Sequence, residues 1–435
     1  MLKKLGIILG LVILAVGSWL LFEISSVRTR VSEAQSYMED EQWREARHLL
    51  RQALRWSPSD AEANLMMAEA LVRDDLLSTP GDVESGLKVV DEAIDYLSRI
   101  PDESSFASEA HVQIGRMEAT LKLHPGTALE HLQKAVDLDP DNQEAYYWIW
   151  KVNELVGRPY TVVEDIWKAI ELAPEDLRPI LLRDWYMGEF FALTANASLE
   201  VQMGLRAPEV APSNQTQAEQ YITFINQEPD STLGYVALAR WFLIAGAPKD
   251  CLLQLDKAVQ SADEPLKDPL LIATIIKALD DLGKIDEAAK YFDQWPGEKE
   301  GYEYWRAKGL IEHKFNRDLP AAIQAYEKAK TIWPGPVDWR TWNLQSNCLR
   351  ENGQTDEAAA IAQKSNEIER LMRADIQSTL RVNLGNLEDP QGLEDVIRFY
   401  RDLGLNREAD AWQAIVDSLQ SKAAKNGSEA SEPRS

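Results

Sequence analysis

Residues 43–64 read WREARHLLRQALRWSPSDAEAN, and four of them keep a rhythm: Ala46, Leu50, Ala53 and Pro58, at gaps of four, three and five. The same rhythm returns at Ala128, Leu132, Ala135 and Pro140, and again at Val162, Ile166, Ala169 and Pro174. Gaps of four and three put three side chains on one face of a helix. Proline beyond them cannot extend that helix. Where the three side chains are small, a neighbouring helix can approach closely. The stretch therefore reads as one half of a packed helical pair that recurs along the chain.

Working outward, the first residue of the triplet falls at Ala46, Gly86, Ala128, Val162, Ala218, Cys251, Ala288, Ala322, Ala358 and Ala409, and five of the nine gaps between these lie from 33 to 37. Five residues before an anchor stand Gly157, Gly246, Gly283, Gly353 and Gly404. Glycine there predicts a left-handed residue that closes one helix and reverses the chain. "DEA" then opens the next helix in GKIDEAA and GQTDEAA, where an acid suits the helix dipole. One helical hairpin cannot bury its own apolar face, so such units stack.

The pattern closely resembles the tetratricopeptide repeat family. Trp305 with Gly309, and Ala34 with Tyr37, match the family's first helix; Ala322, Tyr326, Ala329 and Pro334 match its second. The resemblance covers about residues 27 to 420 and is strongest from 229 to 370. It implies an all-α, right-handed superhelical solenoid of about ten hairpins. It also implies an inner groove lined by the second, fifth, ninth and twelfth residues of each first helix. On this chain those positions give Arg240, Lys277, Arg306, Arg340, Asn343, Asn347 and Arg350, with Leu243 and His313 beside them. Asparagine amides can bond an extended peptide backbone, and arginine can take its carboxylates.

The first residues carry a separate signal. Lys3 and Lys4 precede 18 uncharged residues, Leu5 to Phe22. A helix of that length nearly spans the hydrocarbon core of a bilayer. This predicts a transmembrane helix embedding Leu5, Ile8, Leu11, Leu14, Trp19 and Phe22, with the N-terminus cytoplasmic and the array extracytoplasmic, on the periplasmic side of an inner membrane. A signal peptide cleaved near Ala15-Val16-Gly17 is the rival reading. The expected organisation is an anchor at 1–26, a first array at 27–228 interrupted by an insertion at 194–217, and a regular array at 229–370. Capping helices follow at 371–420, with 370–390 as one long helix, and then a disordered tail at 421–435.

Composition limits the function. The 435-residue chain has a formal net charge of -25, which disfavours nucleic acid. Its two cysteines, Cys251 and Cys348, are far apart and form no C-x-x-C motif. The five histidines show no metal-ligand spacing, and no nucleophile elbow, phosphate loop or dinucleotide fingerprint occurs. No enzyme activity, cofactor, metal or small-molecule substrate is expected. The reading is a membrane-anchored scaffold that binds partner proteins or peptides in cell-envelope assembly or secretion. The alternative is a cytosol-facing receptor for targeting peptides or chaperone tails.

Overall fold

The computed structural model describes residues 26–76, 83–193 and 217–429, and among them the regular elements are helices, with no strand. The chain forms two compact units, Met1–Trp148 and Ile149–Ser435.

In the first unit the quoted stretch is the helix Trp43–Trp56, and Ala46, Leu50 and Ala53 are all fully buried. They pack with Val27, Val31 and Ala34 of a helix over 26–39, which sit four and three apart on one face. The helix stops before Pro58. Asp60 then caps the next helix, Ala61–Leu71, by accepting the Ala63 N–H at 3.0 Å. Asn64 donates to the Pro58 and Asp60 carbonyls and ties that turn together. Further on, Ala107–Met117 packs on Pro125–Leu138 through Gly115, where a Cβ would lie 2.6 Å from Leu132 Cγ.

The second unit repeats this device. Its hairpins pair Thr232–Ile244 with Pro248–Ser261, Pro269–Asp281 with Ile285–Phe292, Gly301–Ile311 with Leu319–Thr331, and Trp339–Glu351 with Thr355–Leu371. A Cβ on Gly309 would lie 2.6 Å from the Tyr326 ring. Gly309 and Tyr326 are separated in sequence just as Gly115 and Leu132 are, so the close approach belongs to the repeat. Cys251 and Cys348 are buried free thiols, both pushed up to about 12 by burial.

The turn slot holds in every described case. Gly157, Gly246, Gly283, Gly353 and Gly404 all have φ between 70° and 81°. At three other anchors the described residue five places before is not glycine, yet Glu41, Leu123 and Arg317 are left-handed there too, at φ 57°, 60° and 57°. The reversal between packed helices demands that backbone whatever the side chain, at about 1–2 kcal/mol for a residue with a Cβ.

Four expectations change. The helix Gln217–Gln227 buries Tyr221 and Phe224 while Ile222 is 46% exposed, so its inward face starts one residue earlier than Ala218 implies. The two large aromatic rings outbid Ile222 for the interior. The stretch 370–390 is broken in two: Thr355–Leu371 ends, Arg373 is extended, and Ala374–Leu384 begins. There the buried Gln377 side chain donates to the Leu371 carbonyl and seals the break. The helix Asn406–Glu429 runs on into the tail expected to be unstructured, since extending an existing helix needs no new nucleus.

The fourth change concerns the membrane. The single-pass placement with a periplasmic array is contradicted, because among the described residues no helix is long and apolar enough to cross a membrane. Asn406–Glu429 has the length, with 24 residues, but carries Arg407, Glu408, Asp410, Asp417 and Lys422. Charges at that density are too costly in hydrocarbon. The anchor positions Leu5, Ile8, Leu11, Leu14, Trp19 and Phe22 lie outside the described residues, as does most of the expected insertion.

Within the second unit, contacts also span long sequence distances, which a strictly one-dimensional stack does not need. Tyr186, on the helix Arg178–Leu193, donates to Gln377 Oε1 at 2.5 Å. Trp185 is fully buried, with ring centres 5.4 Å from Trp333 and 5.7 Å from Tyr400. Glu189 accepts from the indoles of Trp150 at 2.9 Å and Trp333 at 2.8 Å. Arg407 pairs with Glu164 and Glu171 and stacks over Trp167 at 4.2 Å. The start of this unit is thereby fastened to its end.

Candidate protein-binding site

The helix Trp339–Glu351 shows the cleanest division of faces. Asp338 caps it by accepting the Arg340 N–H, and Thr341, Gln345, Ser346, Cys348 and Leu349 are buried. Arg340, Asn347 and Arg350 are exposed and Asn343 is half-buried. Their spacing of three, four and three keeps them on one stripe. Arg350 donates to Asn347 Oδ1 at 3.0 Å, and the Arg340 guanidinium lies 4.6 Å from the centre of the Trp339 ring. These contacts hold the donors outward on a rigid helix. The stripe offers cationic and amide donors on a strongly acidic chain.

The other groove residues are placed differently. Lys277 is half-buried and pairs with Asp281 at 3.2 Å along its own helix. Arg240 is turned inward: it meets Glu303 Oε1 at 3.5 Å and lies 5.1 Å from the centre of the Tyr160 ring. Tyr160 itself donates to Glu303 at 2.7 Å. Burial works against the Arg240 guanidinium, but Tyr160 and Glu303 more than offset it and raise its pKa. That position is therefore occupied by the chain's own residues. His313 is buried against Glu351 at 3.2 Å.

Arg306 is half-buried, donates to Thr341 Oγ1 at 3.2 Å and stands 3.7 Å from Asp338. Burial disfavours the Asp338 carboxylate, yet Arg306 with the Thr341 and Tyr302 hydroxyls holds it below the usual carboxylate range. Burial drives the Tyr302 and Tyr160 phenols well above theirs, so they remain neutral donors.

Sequence reasoning missed this network, although one signal recurs in it. Asp338 receives a bond from Tyr302, and Asp268, which caps Pro269–Asp281 two hairpins earlier, receives one from Thr232 at 2.7 Å. In both cases an N-cap aspartate binds a hydroxyl 36 residues earlier. At these two helices, an aspartate 36 residues after a hydroxyl marks the latch.

Among the described residues no group of three or more His, Cys, Asp or Glu is arranged to hold a metal ion. Burial lifts Glu189 to about 7, a signal often seen at catalytic carboxyls. Both of its oxygens are taken by packed indoles, which is a structural use.

Residues 31–108 and 274–335 match the family model described as Tetratricopeptide repeat, together 140 of the 435 residues. Those stretches carry tetratricopeptide repeats, an architecture that serves as a protein-interaction scaffold. No curated protein is similar enough to match the chain. Among solved structures, a study titled as a functional characterisation of Pseudomonas aeruginosa pilF is 16% identical. It covers 53% of this chain and 93% of that one, at a TM-score of 0.26. A tetratricopeptide repeat protein from Parabacteroides merdae is 10% identical over 78% of this chain and 99% of that one, with a TM-score of 0.30. The APC/C hetero-tetramer Cut9-Hcn1 is 14% identical over 91% and 76%, with a TM-score of 0.35. Likenesses this distant say nothing about function.

Proposed function

We propose that this chain is a scaffold that grips an extended, acidic segment of a partner protein on the Arg340–Asn343–Asn347–Arg350 stripe. The observation that carries this is the division of faces on Trp339–Glu351, with side chains buried on one side and outward donors on the other. Asparagine bonds the peptide backbone, and the arginines take carboxylates, bidentately where geometry allows. The complementary charge speeds encounter, an effect that weakens with salt. Two compact repeat units offer surfaces for more than one partner. That suits assembly of a larger complex, as in cell-envelope construction or secretion.

A photo-crosslinker in place of Asn347 identifies the partner by mass spectrometry, and its affinity is then measured. Replacing Arg340, Asn343 and Arg350 together by alanine is expected to weaken binding at least tenfold with helicity unchanged. Equal binding by the triple variant rejects the stripe as the site.

A further inference from the structure

His111 and His131 stand on the two helices of one hairpin in the first unit, with their Nδ1 atoms 2.9 Å apart. The scaffold reading makes no use of them. His111 Nε2 faces Asp102 Oδ1 at 3.5 Å, and Lys134 holds the other Asp102 oxygen at 2.7 Å. A carboxylate at Nε2 keeps the proton there and leaves His111 Nδ1 as a bare lone pair, an assignment made from its partner. The proton between the rings then belongs to His131, and the other tautomer of His131 frees a second lone pair.

The ring centres are 5.2 Å apart and the planes are tilted by 32°. Two imidazoles sharing a tetrahedral zinc ion, each at about 2.0–2.1 Å, have ring centres roughly 5 Å apart. The spacing that goes with the 2.9 Å contact between the two Nδ1 atoms is thus close to the one a shared cation requires. Binding a shared cation requires each ring to rotate about its Cβ–Cγ bond so that both Nδ1 lone pairs meet at one apex.

We propose that His111 and His131 form a two-imidazole site for a divalent cation of the zinc type, with Asp102 as the carboxylate that orients His111. No third protein donor is placed to join them among the described residues. Both rings are only half-buried, so water completes the coordination. The site is open and exchangeable, unlike a closed structural zinc centre.

Zinc chloride titrated calorimetrically into the full chain at about pH 7.5, with X-ray absorption at the zinc edge of the one-to-one complex, tests this. The wild type is expected to show two imidazole nitrogens at about 2.0 Å with oxygens completing the shell. His111→Gln and His131→Gln should each weaken binding at least tenfold, and Asp102→Asn about tenfold. An all-oxygen shell, the absence of binding, or unchanged affinity in the double histidine variant overturns the proposal. The absorption measurement is made on the wild-type chain, so it decides the matter even where a variant folds poorly.

Discussion

The regular hairpins from Thr232 to Leu371 and the helix Arg178–Leu193 belong to the same unit but are built by different rules. In the hairpins the buried positions are small and recur: Ala258, Ala288, Ala322 and Ala329 let neighbouring helices come close. Each layer depends on the layers beside it. Arg178–Leu193 instead buries Leu181, Leu182, Trp185, Tyr186, Glu189 and Phe190, and reaches residues well over one hundred positions away in the chain. Repetition therefore sets the spacing of this unit, while a single aromatic helix sets how its ends are joined.

The strongest way to break that contrast is Trp185→Ala. Removing a fully buried indole that touches Trp167, Phe190, Trp333 and Tyr400 is expected to destabilise the protein by about 3–5 kcal/mol. Hydrogen exchange should quicken first in Pro390–Leu403, while Gly301–Ile311 keeps its protection. Equal loosening of both helices would show that the joint is no separate element.

The next effect comes from Glu189. Burial raises its folded pKa to about 7, with the Trp333 and Trp150 indoles pulling it back and Glu154 pushing it up. The folded state then holds the proton more tightly than the unfolded chain. Stability is fullest below the ordinary glutamate range, falls as pH rises through about 7, and is level beyond. The change is on the order of 3 kcal/mol. Asp165, raised to about 6 by burial, acts in the same direction, so Glu189→Gln should remove most of the slope and leave a remainder. Denaturant titrations at a series of pH values measure it, and an unchanged slope in the variant refutes the assignment.

Within the hairpins, Gly309→Ala drives a methyl into the Tyr326 ring. Because that ring is fully buried, the expected loss is about 1–3 kcal/mol, read as a lower denaturation midpoint. The smallest effect tests the turn. Arg317→Gly relieves a left-handed arginine and should stabilise by up to about 1 kcal/mol, whereas Gly353→Ala, where a Cβ meets nothing within 4 Å, should destabilise by a similar amount. Opposite signs at equivalent positions would show that the fold, and not glycine itself, dictates the bend.

These contrasts also explain what could be read in advance. Ala46, Leu50 and Ala53 were legible because the helical period forces three spaced side chains onto one face, and the five turn glycines because few other residues suit that backbone. Leu123 and Arg317 hid the same turn, since nothing in their side chains announces a left-handed residue. Ile222 misled because an aliphatic residue in register looks buried until Tyr221 and Phe224 compete for the space. The joint made by Glu189, Trp150 and Trp333 leaves no periodic trace. At the candidate site the positions came from the family resemblance, and their spacing only put them on one stripe. The inward turn of Arg240 depends on Tyr160, which lies outside its repeat.

Hydrogen exchange of the chain with and without its crosslinked partner tests the binding account most directly. Slowed exchange is predicted in Trp339–Glu351, lost when Arg340, Asn343 and Arg350 are alanine. Slowed exchange confined to other helices, with Trp339–Glu351 unchanged, would contradict it.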